Sequence, residues 1–478
     1  MLFNSFNFAL FLPIVFILYW LVSKEKKNYQ NALLLVSSYF FYSCWDWRFL
    51  FLLFFSTFLD YITGIKMFES KSENNKKIWF WISIIINLGF LGVFKYYDFF
   101  VTSFAEQVSN FGFTINPYTL NIILPVGISF YTFHGLSYVI DIYYERIKPE
   151  RNFIDYAVFV SFFPLLVAGP IERASHLLPQ LKTKRIFNYS YAVDGLRQIL
   201  WGLFKKIAIA DQCAKYVNII FNQSDDLSGS TLVLGLVFFA FQIYCDFSGY
   251  TDIAIGTARL FGIDLLRNFA FPYFSRDIAE FWRRWHISLS SWFRDYLYIP
   301  LGGSKDGTAK KIRNILIIFL ISGLWHGANW TFVIWGLLNG LYVLPSILFP
   351  SKKNNSEIVA KGKYLPTIKE FLSIVITFCL TLFAWLFFRS PSMESAVFYL
   401  SGIFANSLFS IPSIRPTNVF ILLSVFIIIE WLGREQQFAI ATFGEKKSKT
   451  IRWFFYYAIV LTTLYFASDE QEFIYFQF

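Results

Sequence analysis

Leu324-Trp325-His326-Gly327-Ala328-Asn329-Trp330 lies between two apolar runs, Ile315–Leu324 and Phe332–Leu348. Each run can enter a bilayer, so this short polar stretch falls at membrane depth. An ionisable group there is costly and marks a functional site by default. Desolvation disfavours imidazolium, so His326 is expected to be neutral and able to take a proton from a hydroxyl. The same residue also reads as packing glue, hydrogen-bonded to a neighbouring helix.

Working outward from that stretch, apolar segments recur along all 478 residues. The chain is 56% hydrophobic and 22% aromatic, with a mean hydropathy of +0.48. This composition describes a polytopic all-α integral membrane protein, a single transmembrane domain over 1–478 whose partner is the lipid bilayer. Phe8–Val22 has no Lys or Arg before it and no small-x-small cleavage site after it, so it reads as an uncleaved first span. The net charge of +10 is spread over short loops as the positive-inside rule expects, which argues against a nucleic-acid partner. Cys44, Cys213, Cys245 and Cys379 are scattered without metal-ligand spacing, so no metal is expected.

Basic loops at Lys24–Lys27, Lys66–Lys77, Arg146–Arg151, Lys182–Arg185, Lys305–Arg313, Lys352–Lys363 and Arg434–Arg452 mark the cytoplasmic side. Cation-poor loops alternate with them. Both termini are then expected outside the cytoplasm, joined by about eleven spans or re-entrant half-spans. Asn31–Cys44 and Phe49–Ile65 read as a short hairpin, and Phe153–Pro170 as a segment returning to its own side. Broken backbone at membrane depth needs protein or a wet cavity around it, which implies helices ringing a central funnel. Asp277–Trp292 reads as one amphipathic interfacial segment.

Polar chemistry concentrates between Gln242 and Trp335. Asp246, Ser248 and Asp252 interrupt an apolar helix that Gly249 is expected to break. Asp246 and Ser248 either line a cavity or act as polar glue. Arg283 and Arg284 either hold the phosphate of a cytosolic donor or snorkel to headgroups. His286 reads as a second reactive group or as an interfacial histidine that orients a helix. His134 and His176 lack a comparable polar neighbourhood and read as structural. The chain contains no phosphate-binding glycine loop, Gly-x-Ser-x-Gly elbow or His-Glu-x-x-His.

Trp282-Arg283-Arg284-Trp285-His286-Ile287-Ser288-Leu289-Ser290 followed by Trp325-His326-Gly327-Ala328-Asn329-Trp330 resembles the signature of membrane-bound O-acyltransferases (MBOATs). Met1-Leu2-Phe3-Asn4-Ser5, Pro125–Phe133, Ala168-Gly169-Pro170-Ile171 and Tyr298–Ser304 resemble the alginate O-acetyltransferase branch. The resemblance covers nearly the whole chain. It implies that His326 is the essential residue, deep in a tunnel that crosses the membrane, for which Trp325, Asn329, Asp246 and Ser248 are the candidate lining residues. His286 is then the second signature histidine, toward the cytosolic mouth where Arg283 and Arg284 receive the donor. No bound cofactor is implied. The donor, acetyl-CoA or an acyl carrier protein thioester, is a substrate.

The tail Phe473-Ile474-Tyr475-Phe476-Gln477-Phe478 resembles a Phe-x-Tyr-x-x-Phe motif of that branch. It also resembles the tail of a small partner protein in teichoic-acid D-alanylation. The resemblance makes Tyr475 a transient acyl carrier; the residues alone also fit an aromatic interfacial anchor. The expected activity is transfer of an acyl group, acetyl by resemblance, toward a cell-surface polysaccharide. No segment reads as a soluble domain that grips a long glycan, so an extracytoplasmic transferase partner is expected. Two rival readings remain: an MBOAT that acylates lipid or protein, and a non-enzymatic transporter or flippase.

Overall fold

The computed structural model describes residues 1–22, 27–167, 169–305, 307–349, 357–405, 407–444, 448–467, 471, 473 and 474. Among them every regular element is helical, as expected for an all-α chain. Five helical stretches are long and apolar enough to cross a bilayer: Arg48–Glu69, Glu73–Asn110, Gly229–Leu260, Trp330–Leu348 and Ile368–Arg389. Phe6–Val22 and Thr417–Gly433 are apolar but shorter. That criterion does not reproduce the count of about eleven expected from loop alternation. Several of the missing segments are interrupted. A π-turn at Phe204–Ala210 separates helices Tyr189–Leu203 and Asp211–Asn222, and Phe162 separates Phe153–Ser161 from Phe163–Leu166. Helix Thr308–His326 starts with Lys310, Lys311 and Arg313.

The chain divides into two compact units, one formed by Met1–Ala192 with Thr257–Leu266, the other by Val193–Gly256 with Arg267–Phe478. In the first, the expected short hairpin is longer than the apolar pattern indicated. Its helices are Lys27–Asp46 and Arg48–Glu69. Buried polar side chains fix its neighbours. Asp60 accepts hydrogen bonds from Ser83 Oγ at 2.6 Å and Asn87 Nδ2 at 2.8 Å. Asp155 accepts from Lys27 Nζ at 2.9 Å and Asn31 Nδ2 at 2.7 Å. His134 Nε2 accepts the Glu172 N–H at 3.1 Å, and His176 Nδ1 lies 2.8 Å from the Glu172 carboxylate. Both histidines are therefore tied to local structure, as their surroundings in the sequence suggested.

The second unit is organised by helix Gly229–Leu260, most of which it contains. Gly249 does not break this helix. A Cβ there would come within 2.8 Å of the Gly202 carbonyl oxygen, so glycine is needed for a close approach between helices. The antiparallel pair Thr308–His326 and Trp330–Leu348 uses the same device. A Cβ on Gly323 would lie 2.3 Å from the Phe332 oxygen, and one on Gly336 would lie 2.3 Å from the Phe319 oxygen. This contact brings the two helices together just below His326. Gly336→Val is therefore expected to spread the pair and remove both monodisperse protein and activity, since backbone atoms cannot yield as a flexible side chain can. Gel-filtration profiles of the fluorescently tagged variant would show this directly.

Candidate active site

His326 is the last residue of its helix and is 5% exposed. Gly327 follows in extended conformation, and Asn329 starts the next helix by accepting the Thr331 N–H at 3.0 Å. Asn329 Nδ2 donates to the Pro391 carbonyl at 2.8 Å. Asn329 therefore holds the turn that presents His326, and these bonds commit both ends of its amide. The imidazole is walled by Trp325, Trp335 and Phe388, with ring centroids 4.9, 5.0 and 5.4 Å away. These rings leave the imidazole little contact with solvent.

The segment 277–292, expected as one amphipathic element, is two short helices. Ile278–Arg284 is capped by Asp277, whose side chain accepts the Glu280 N–H, and Ile287–Phe293 follows. The break falls at Trp285-His286, where His286 adopts φ 43, ψ 54. A left-handed conformation is uncommon for a residue other than glycine and persists only when its surroundings enforce it. Asn268 does so here. Its carbonyl accepts the Ile287 N–H at 2.9 Å. Its side-chain oxygen receives the Ser288 N–H at 3.3 Å, the Ser288 hydroxyl at 2.9 Å and His286 Nδ1 at 3.0 Å.

Because the Ser288 backbone N–H can only donate, the atom it meets must be the Asn268 oxygen, and His286 Nδ1 must then carry a proton. That leaves the lone pair on His286 Nε2. Nε2 is buried without a hydrogen-bond partner among the described residues. Complete burial pushes the His286 pKa down to about 3. The His286 and His326 ring centroids are 6.5 Å apart, and Trp325 lies 6.0 Å from His286. Two imidazoles from distant parts of the sequence thus share one aromatic enclosure.

The other expected site residues divide in their roles. Arg284 is committed to Glu280, at 2.8 Å, which also binds Arg276 at 3.0 Å. Arg283 is exposed. Ser248 accepts Lys205 Nζ at 2.9 Å. It lines, with Lys205, Asp252, Arg267 and Asn268, a polar cavity of about 20 Å³, room for about one water molecule. Asp246 pairs with Lys206 at 2.8 Å. Tyr475 lies outside the described residues. The sequence reading missed Asn268, Trp335, Phe388 and the two lysines. The lysines carried a usable signal: Phe204-Lys205-Lys206-Ile207 sets two cations in an apolar run, which calls for buried carboxylate partners.

The sequence model of the family described as "MBOAT, membrane-bound O-acyltransferase family" matches residues 143–388, a span that holds both histidines and Asn268. The chain is 38% identical over 433 residues to the peptidoglycan O-acetyltransferase of Helicobacter pylori, covering 84% of this chain and 80% of that protein. The chain is a membrane-bound O-acyltransferase. Over 454 residues it is 36% identical to the probable alginate O-acetylase AlgI of Azotobacter vinelandii, with 93% and 87% of the two chains covered. Similarity extends at 29% identity, over 56% of this chain and 69% of the relative, to the teichoic acid D-alanyltransferase of Bacillus subtilis. Membership makes this O-acyltransferase a multipass membrane enzyme, and the transporter reading is set aside.

Proposed function

We propose that this O-acyltransferase takes an acetyl group from a cytosolic thioester, acetyl-CoA or an acyl carrier protein, and passes it through the cytoplasmic membrane of a bacterium. The acceptor class is a cell-envelope or extracellular polysaccharide. The observation that carries the reading is the shared enclosure of His286 and His326, 6.5 Å apart and walled by tryptophan and phenylalanine. The names of the relatives support the acceptor class: one is a peptidoglycan and another an alginate O-acetylase.

In this mechanism His326 accepts the proton of an attacking hydroxyl while the hydroxyl oxygen adds to the thioester carbonyl. The C–S bond breaks, and the thiolate leaves as thiol after taking that proton from the imidazolium. The attacking hydroxyl is assigned to Tyr475. A phenol with a pKa near 10 can be deprotonated by a buried imidazole, and the phenyl ester formed is a good acyl donor. A sugar hydroxyl then attacks the ester, its proton returns to the phenolate, and the tyrosine is regenerated. A separate extracytoplasmic transferase completes this last step. Arg283, the exposed one of the pair, meets the donor's phosphate.

The test is the base-labile acetyl content of isolated surface glycan from wild type, a deletion strain and Tyr475→Phe expressed at the wild-type level. Loss of glycan acetyl groups is expected in both mutants. Normal acetylation in Tyr475→Phe would remove the relay, and normal acetylation in the deletion strain, with acyl groups found only on membrane lipid, would remove the glycan.

A further inference from the structure

Two buried charges of the second unit grip the end of the chain by its backbone. Lys206 Nζ lies 2.8 Å from Asp211 Oδ1, 2.8 Å from Asp246 Oδ1 and 3.1 Å from the carbonyl oxygen of Gln471. Asp211 and the Gln471 carbonyl accept hydrogen bonds from the ammonium, and Asp246 Oδ1 pairs with it by charge. Asp246 Oδ2 accepts the backbone N–H of Ile474 at 2.7 Å. Phe473, between the two gripped positions, is fully buried and packs at a tilt of 38° against Tyr250 with ring centroids 4.1 Å apart.

We infer that Lys206 and Asp246, with Tyr250, are positioning residues that seat the C-terminal segment next to the histidine enclosure. Three features argue for a seat over a generic buried ion pair. One ammonium faces two carboxylates, Asp211 and Asp246, so the site holds an excess of acceptors, and the Ile474 N–H supplies the additional donor. The grip uses main-chain atoms three residues apart, a carbonyl and an N–H, which fixes the register of the segment whatever its side chains. Asp246, Phe247 and Tyr250 lie within five residues of one helix, Gly229–Leu260. Phe247 touches His286, with centroids 4.7 Å apart, while Asp246 and Tyr250 hold the tail. The same helix therefore holds Ile474 through Asp246 and meets His286 through Phe247. This placement deepens the relay reading and depends on it for its purpose, though not for its geometry.

Accessibility of a thiol at position 474 tests the seat without reference to activity. The probe is Ile474→Cys in the full-length protein with the exposed Cys44 and Cys379 changed to serine, reacted with a polar maleimide in detergent. Protection is expected in this parent. Asp246→Leu removes the acceptor for the tail and leaves a neutral Lys206–Asp211 pair, so labelling should accelerate at least tenfold. Asp246→Asn keeps an oxygen for the Ile474 N–H and should stay close to the parental rate. Tyr250→Ala leaves both charges in place and should also expose the thiol, which covers the case of Asp246→Leu failing to fold. Equal labelling of the parent and its denatured form, or parental rates in both Asp246→Leu and Tyr250→Ala, would overturn the seat. If the seat holds and Tyr475→Phe still acetylates glycan, the relay fails and the seat stands. If both hold, seat variants should lose kcat and keep the KM for the thioester.

Discussion

His326→Ala should lower the rate of acyl transfer from thioester to acceptor by about 10³-fold, within the 10²- to 10⁴-fold range of a positioned general base. The reason lies in the enclosure. Trp325, Trp335 and Phe388 surround the imidazole closely enough to exclude bulk water, so no buffer molecule can take over the proton. His286, the next imidazole, is 6.5 Å away between ring centroids, too far for the two rings to hydrogen-bond each other directly. His326→Gln, closer in size, should be about as inactive, because an amide hydrogen-bonds but does not accept the proton. Stopped-time assays on purified protein with a radiolabelled thioester would measure both. The variants should elute like wild type and bind donor normally. Retention of more than a tenth of the wild-type rate by His326→Gln would show that the residue orients and does not take the proton.

How much of this was legible beforehand depended on whether a residue acts through its immediate neighbours in sequence. His326 was conspicuous because the two apolar runs beside it announce its depth. The helical class followed from run lengths alone. The break at Trp285-His286 was not legible, since the amphipathic period continues across it and only contacts with Asn268 hold His286 in its left-handed conformation. Asn268 itself sits in an unremarkable Arg267-Asn268-Phe269, eighteen positions from the histidine it orients. Gly249 was misread for a related reason. A glycine in a helix signals weakness or close packing equally well, and only the Gly202 carbonyl opposite decides between them. Asp246 stands out in the sequence as a carboxylate in an apolar helix, but its partners, Lys206 and the Ile474 N–H, come from remote segments.

Asn268→Leu should cost about 10²-fold in kcat, with the KM for the thioester little changed, although Asn268 need not touch either substrate. Leucine offers no acceptor, so Nδ1–H of His286 and both donors of Ser288 would be buried without their present partner, and an unsatisfied buried donor costs about 1–3 kcal/mol. The imidazole is then free to change tautomer or rotate. In either case the Nε2 lone pair no longer faces the enclosure. Asn268→Asp separates orientation from charge. Its carboxylate still accepts all three hydrogen bonds, so the geometry should survive. A carboxylate beside an imidazole favours the imidazolium form, so the His286 pKa should rise from its buried value of about 3 toward neutrality. Activity that requires a neutral Nε2 must then disappear on the acid side as pH falls through the raised pKa. Above that pH Asn268→Asp should approach wild type, in which His286 itself adds no such limb down to about pH 4, one unit above its pKa. A pH–rate profile of the three proteins at saturating thioester decides the matter. Superimposable profiles for wild type and Asn268→Asp, with Asn268→Leu uniformly low, would make His286 a structural residue whose protonation state the reaction ignores.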